Sequence, residues 1–188
     1  ATLTATDLNT EHGKIARFTV GVGSRFVECT TTSLGATITE ATTAVTFQPS
    51  YADCFSNNLT AVPATVTMNS CDYVFEATSE TTGQTKVSCA SPGDAIQMHV
   101  YENATKQTEN KPLCTYDIGP QGPLTGIKVS HTNVETATED LVLNFNELSK
   151  LNVTSTIGPL VLCGVKAIEG PAATTASLKG ELTVTGSA

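Results

Sequence analysis

The predicted fold is organised around AVPATVTMNSCDYVFEATSETTGQTKVSC, residues 61–89. It contains two runs of β-branched and aromatic residues, 64–68 and 72–76, which are typical of short strands bounded by turns. A turn rich in Ser, Thr and Gly follows, and the chain then returns toward Cys89. Cys71 and Cys89 would stand at the open ends of this hairpin, where a disulfide closes without bending the backbone. The stretch therefore predicts a β-hairpin stapled by a disulfide.

The composition of the whole chain favours strands over helices. Of its 188 residues 33 are Thr, whereas charged residues make up only 15% and Trp is absent. Thr prefers strands, while Lys, Glu and Arg favour helices. The simplest interpretation is that Thr covers the solvent-facing side of antiparallel sheets. A surface for O-glycosylation or an ice-like lattice is the alternative, although no Thr-x-Thr ladder of fixed period is present.

Apolar and polar residues alternate along much of the chain, which predicts further strands. Turn signals separate them at intervals of roughly 8–12 residues, as in β-sandwiches and barrels. The predicted strands are residues 15–22, 25–31, 37–40, 44–48, 96–101, 113–118, 160–165 and 178–185. We therefore expect an all-β protein, an antiparallel β-sandwich or barrel.

Three segments are harder to interpret. Residues 135–150 resemble a helix in composition, but Leu141, Leu143 and Phe145 alternate strictly with their neighbours, which predicts a strand. Residues 49–58 and 103–111 are polar and rich in turn formers, so both are predicted as loops. Gly119 to Pro123 is a firm break and a candidate sub-domain boundary. The expected organisation is an arm, residues 1–13, followed by a β-sandwich domain, residues 14–188.

Six Cys residues predict three disulfides. Their spacing contains neither a Cys-x-x-Cys motif nor a Cys/His pattern suited to zinc. Cys29–Cys54 and Cys71–Cys89 are close in sequence and each spans a predicted hairpin, and elimination then pairs Cys114 with Cys163. Disulfides imply an oxidising compartment. Because the chain begins at Ala and shows no signal peptide, we expect a processed, secreted protein found outside the cell or at its surface.

The charge balance argues against several partners. The net charge is −8 and no basic cluster is present, which disfavours nucleic acid and anionic membranes. No apolar run approaches the roughly 18 residues of a membrane helix, so membrane insertion is not expected.

Several motifs resemble a family of secreted bacterial β-proteins. The resemblance covers about residues 18–131 and rests on a Cys-Thr-Thr run, a Pro-x-Tyr-x-x-Cys loop, an Asn-x-Cys-x-Tyr-x-Phe strand and a late Cys-Thr turn ending in Gln. The residues at these places are Cys29, Pro49, Tyr51, Cys54, Asn69, Cys71, Tyr73, Phe75, Cys89, Cys114 and Gln121. The resemblance implies secretion and disulfides. The family has no assigned activity, so no catalytic residue is carried over.

No set of residues predicts catalysis or a cofactor. His12, His99 and His131 are isolated, no Gly-x-Ser-x-Gly elbow is present, and oxidised Cys residues supply no thiol nucleophile. No calcium-loop motif exists, which leaves Asp53, Asp94 or Asp117 as acidic residues for a site formed only in three dimensions. We predict no enzyme activity, no cofactor and no resident metal.

The leading functional hypothesis is a structural subunit of an extracellular filament or surface assembly, with copies of itself as partner. The assembly residues would be the uncharged arm Ala1, Thr2, Leu3, Thr4, Ala5 and Thr6, added as a strand to a neighbouring sheet. The alternative for the arm is pairing within its own sheet, beside residues 178–185. The alternative functions are a monomeric binding module for a surface glycan and, third, an unrecognised hydrolase.

Overall fold

A computed structural model of the chain describes residues 3–7, 15–20, 26–35, 44–57, 61–79, 81–133, 138–157 and 172–187. Within these residues the chain forms twelve strands and one short helix. They are β1 (Leu3–Asp7), β2 (Ile15–Val20), β3 (Phe26–Gly35), β4 (Ala44–Asn57), β5 (Ala61–Thr67), β6 (Cys71–Ala77), β7 (Thr82–Cys89), β8 (Ile96–Val100), α1 (Ala104–Thr108), β9 (Cys114–Ile118), β10 (Gln121–Asn133), β11 (Thr138–Ile157) and β12 (Ala172–Ser187).

The predicted antiparallel, nearly all-β fold is confirmed, since the described strands pair in antiparallel register. The stapled hairpin is β6–β7, in which Cys71 lies directly opposite Cys89. Their disulfide has a Cα–Cα distance of 3.9 Å. The strand predicted within residues 135–150 is part of β11, so the strict alternation there is the informative signal.

Two long strands, β4 and β11, each change partner along their length. β4 pairs with β6 near its start, at Ala44↔Glu76, and with β5 near its end, at Asn57↔Ala61. β11 pairs with β10 near its start and with β9 near its end. Two groups of three strands, β6–β7–β10 and β5–β8–β9, therefore connect β4 to β11.

The core combines buried side chains of these two groups with others from β3, β4 and β11. In β6 and β8 every second residue is buried, which is the pattern of strands with one face packed inward. The largest fully buried side chains of the core include Phe75, Met98 and Ile118. Burial of apolar side chains supplies the main stabilisation, at about 25 cal/mol per Å² of apolar surface.

Two side-chain amides form hydrogen bonds to the backbone of a neighbouring segment where backbone pairing is interrupted. Gln121 of β10 accepts from the backbone N–H of Asn152 (2.7 Å) and donates to its carbonyl (3.0 Å), so its amide acts as an extra peptide group beside β11. Asn69 in the β5–β6 turn has a positive φ of 52° and donates to the carbonyl of Ala95 (2.7 Å). Asn tolerates this left-handed conformation better than most residues.

Three sequence predictions need correction. The loop predicted at residues 49–58 is wrong, because β4 continues to Asn57 and pairs with β3 through two register shifts. Asp53, with a positive φ of 48°, lies in this irregular part of the strand. The loop predicted at 103–111 contains α1, whose N-terminus is capped by Asn103 accepting from the N–H of Lys106 (3.0 Å). The break at residues 119–123 is shorter than predicted, since β10 already begins at Gln121.

Two of the three predicted disulfides are confirmed, Cys29–Cys54 and Cys71–Cys89. Cys114 is buried in β9. Cys163 lies outside the described residues, as do the predicted strands at 37–40 and 160–165. The pairing of Cys114 with Cys163 therefore stays a prediction.

Candidate assembly site

Residues 3–7 of the predicted arm form β1, which lies between β12 and β3. Its register with β12 runs from Leu3↔Gly186 to Asp7↔Leu182. On the other side, Thr4 and Ala5 pair with Gly35 and Leu34 of β3. We call the space between β12 and β3 that β1 fills the β1 slot.

In the single chain, β1 pairs within its own sheet and not with a neighbouring molecule. Leu3, Thr4, Ala5 and Thr6 belong to β1 and pair beside the C-terminal strand, as the intramolecular alternative expects. Ala1 and Thr2 lie outside the described residues. The register depends only on the sequences of the paired strands. A β1 from a second copy of the chain could therefore pair with the same residues of β12 and β3.

Both walls of the slot are held independently of β1. β12 pairs with β11 from Thr138↔Ser187 to Ser155↔Ala172. β3 pairs with β4 and is joined to it by the Cys29–Cys54 disulfide, with a Cα–Cα distance of 4.0 Å. Cys29 and its neighbour Val27 are each only 1% exposed. The walls should therefore persist when β1 leaves.

No described strand is a simple open edge. Each of the twelve pairs with at least two others, including β1 with β12 and β3, and β6 with β7 and β4. Among the described residues, a strand from a second copy could therefore pair over a long stretch by replacing a strand already in place. β1 is a candidate for replacement, because it has five residues and pairs with β3 at only two positions.

A second feature is a polar cluster on the outer face of β5–β8–β9, centred on Tyr101. The Tyr101 hydroxyl donates to Oδ1 of Asn110 (3.3 Å) and lies 3.2 Å from Nδ1 of His99. It also lies 3.5 Å from Oγ1 of Thr65, which is opposite His99 in the sheet. Tyr101 is only 3% exposed, so its ring offers no stacking surface to a sugar.

His99 is the titratable member of this cluster. Burial lowers the pKa of His99 below its ordinary value, and the nearby charge of Asp117 opposes that shift. Asp117 itself accepts from Nε2 of Gln97 (3.0 Å). Thr115 lies opposite His99 and is 3% exposed, and its hydroxyl has no hydrogen-bond partner among the described residues. The His99 imidazole is therefore mainly neutral at pH 7 and takes part in a structural polar network.

The acidic residues singled out from the sequence are not brought together as a metal site. Asp94 accepts a short hydrogen bond from Ser70, and Asp117 accepts from Gln97. Asp53 lies in the irregular part of β4. In the part of the chain that the structure describes, no group of three His, Cys, Asp or Glu residues could hold a metal ion.

Sequence reasoning missed the structural roles of two side chains. Gln121 and Asn69 both make hydrogen bonds between neighbouring segments. For both residues, the only sequence signal of this hydrogen-bonding role was a polar side chain next to a predicted turn.

No known protein family, curated protein or solved structure matches this chain. Among the described residues, no helix is both long and apolar enough to cross a membrane.

Proposed function

We propose that the protein is a secreted structural subunit whose copies assemble into an extracellular filament or surface layer by exchanging β1. The observation that carries the proposal is the placement of β1 in a slot between two strands that are anchored without it. An exchanged β1 restores the same backbone pairs in the neighbour. A head-to-tail exchange that does not close on itself produces an open polymer.

Pairing of β1 with another copy competes with its pairing in its own chain. The protein concentration determines which of the two predominates. The short connection of β1 to its own chain gives an effective concentration on the order of millimolar. Exchange therefore needs crowding, as at a cell surface, or extra contacts between neighbouring bodies. The proposal expects assembly to rise steeply with concentration, with monomers dominating in dilute solution.

We further propose that the subunit is a closed β-sandwich or barrel and that it resides in an oxidising compartment. Strand pairing leads from β4 through β5, β8, β9, β11, β12, β2 and β3 back to β4, which supports a β-sandwich or barrel closed on itself. Two disulfides support an oxidising compartment. No catalytic residue, cofactor or metal is assigned to the subunit.

The experiment compares the full chain with a chain lacking residues 1–8, by light scattering and negative-stain electron microscopy across a concentration series. The full chain should assemble, and the truncated chain should remain a folded monomer. Leu3→Asp should also block assembly, because it places a charge at the only large apolar position of residues 1–6. The matched control is Gly93→Asp, which adds the same charge at an exposed turn with open space.

Two results would count against exchange. Polymers formed by the truncated chain would require lateral contacts between subunit bodies instead. Equal loss of assembly in Leu3→Asp and Gly93→Asp would make added charge, not β1, the cause.

A monomeric glycan-binding module is the second candidate, and the half-buried polar side chains of β8 and β9 are the observation that favours it. Half-buried His99, Gln97 and Asp117 offer hydrogen-bonding groups on one face. Calorimetric titration with soluble polysaccharide fragments, using wild type and Asp117→Asn, tests this candidate. Binding that Asp117→Asn abolishes would support it, and the absence of heat with wild type would reject it.

A further inference from the structure

β1 and β2 lie end to end beside the same two strands. β2 pairs with β12 from Arg17↔Lys179 to Val20↔Ala176, and with β3 from Ile15↔Thr30 to Thr19↔Phe26. β1 pairs with β12 and β3 as well, in the same direction and farther along. The two segments therefore share one position in the sheet.

On β12, only residues 180 and 181 separate the partner of Arg17 from the partner of Asp7, and extending the β2 register across them brings it to the β1 register. Carried back two residues from Arg17↔Lys179, the β2 register places Ile15 opposite Glu181. Glu181 is the immediate neighbour of Leu182, which is the partner of Asp7. Along β12, the last residue of β1 and the first residue of β2 thus take consecutive positions, although seven residues of sequence, 8–14, separate them.

The registers of β1 and β2 with β3 also match those of one continuous strand, except for one extra residue in β3. The β1 register, carried on from Ala5↔Leu34, places Asp7 opposite Thr32, whereas Ile15 pairs with Thr30. One residue of β3, Thr31, is left between them, as in a β-bulge. β3 shows a register shift at the same place in its pairing with β4, between Thr31 and Ser33.

We propose that β1 and β2 are two parts of one strand, interrupted by the seven residues that allow β1 to pair with a second copy of the chain. This inference rests on the proposed function for its partner. An uninterrupted strand would hold β1 in its own slot, because the chain could not turn away between Asp7 and Ile15. With the seven residues present, Asp7 and Ile15 can separate by at most about 28 Å, since an extended chain spans up to about 3.5 Å per residue. The accepting copy is therefore a direct neighbour whose slot lies within that reach.

The test is a chain in which residues 8–14 are deleted, so that Asp7 is joined directly to Ile15. Its control replaces residues 8–14 with seven Gly and Ser residues, which keeps the length and changes the sequence. Ala5→Cys and Val184→Cys are added to each, because these two residues are paired partners in the β1–β12 register and a disulfide can join them.

We expect the deletion chain to fold, to form the A5C/V184C disulfide only within one chain, and to stay monomeric at concentrations where wild type assembles fully. The Gly/Ser control should assemble like wild type. Misfolding of the deletion chain, or absence of its internal disulfide, would overturn the shared-strand register. Assembly of the deletion chain equal to wild type would overturn the role of the interruption, with the proposed function intact. If wild type itself never assembles, the proposed function fails, and an internal disulfide in the folded deletion chain still supports the register.

Discussion

The stapled hairpin and the β1 slot are held by different kinds of interaction. β6 and β7 are neighbours in sequence, pair from Cys71↔Cys89 to Ala77↔Gly83, and share a disulfide. β1 pairs with strands at both ends of the chain, over five positions with β12 and two with β3. A short connection, a disulfide and buried aromatic rings stabilise the hairpin, whereas β1 has no disulfide of its own and is held in the slot by backbone pairing. The body of the protein and its terminal strand should therefore be separable.

The largest expected effect is on the hairpin core, through Phe75→Ala. Phe75 is 2% exposed, and truncating a buried Phe costs about 3–5 kcal/mol in the free energy of unfolding. Urea unfolding followed by circular dichroism measures the change. Phe55→Ala is the control, because Phe55 is 36% exposed and should cost far less. Equal losses in the two variants would mean that Phe75 is not a core residue.

The disulfide of the hairpin should have the next largest effect. Its 18-residue sequence separation predicts a loss of about 3 kcal/mol when Cys71 and Cys89 are both replaced by Ser. Thermal unfolding of the double variant measures this loss. The variant should retain the β1 register, since the slot walls lie on β3 and β12. A melting temperature unchanged from wild type would contradict the importance of the staple.

Gly83→Ala should cost about 1–3 kcal/mol through overpacking. A Cβ at Gly83 would overlap the ring of Phe75 and lie 3.1 Å from the carbonyl oxygen of Glu76. Gly93→Ala is the matched control, because a Cβ there meets no atom within 4 Å. Chemical denaturation of both variants measures the difference, and a Gly83→Ala variant as stable as Gly93→Ala would show that the ring adjusts freely.

The smallest expected effect is a pH dependence from His99. Because burial lowers its pKa in the folded state, the unfolded chain binds the proton more readily. The stabilisation is fully present above the unfolded-state pKa of about 6.5 and is lost as the pH falls through the lower folded-state value. His99→Gln should therefore lose less unfolding free energy than wild type between pH 7.5 and 5. Identical pH profiles would show that His99 does not contribute.

The sequence predicts the parts of the fold that depend on local pattern. The hairpin follows from alternation and from two Cys residues at its open ends, and β8 from the alternation of Ile96, Met98 and Val100 with polar residues. Residues 49–57 have the composition of a loop, but pairing with β3 holds them in a strand. That pairing is tertiary, and no local pattern encodes it.

The candidate site was predictable in part. The uncharged alternation of residues 1–6 identifies a strand, and the C-terminal strand was one of the partners considered for it. The second wall, β3, and the shared position with β2 could not be predicted, because they depend on registers among segments far apart in sequence. The α1 helix had a local signal in its Asn103 cap, which the surrounding polar composition obscured.

Exchange of β1 can be detected by identifying the chain with which β1 pairs in the assembled protein. Ala5→Cys and Val184→Cys, introduced into the full chain, place a cross-linkable pair across the β1–β12 register. After mild oxidation of assembled and dilute samples, non-reducing electrophoresis and peptide mass spectrometry identify the chains joined. The account predicts covalent ladders from the assembled sample and internally linked monomers from the dilute one. Internal links alone in both samples would contradict exchange of β1.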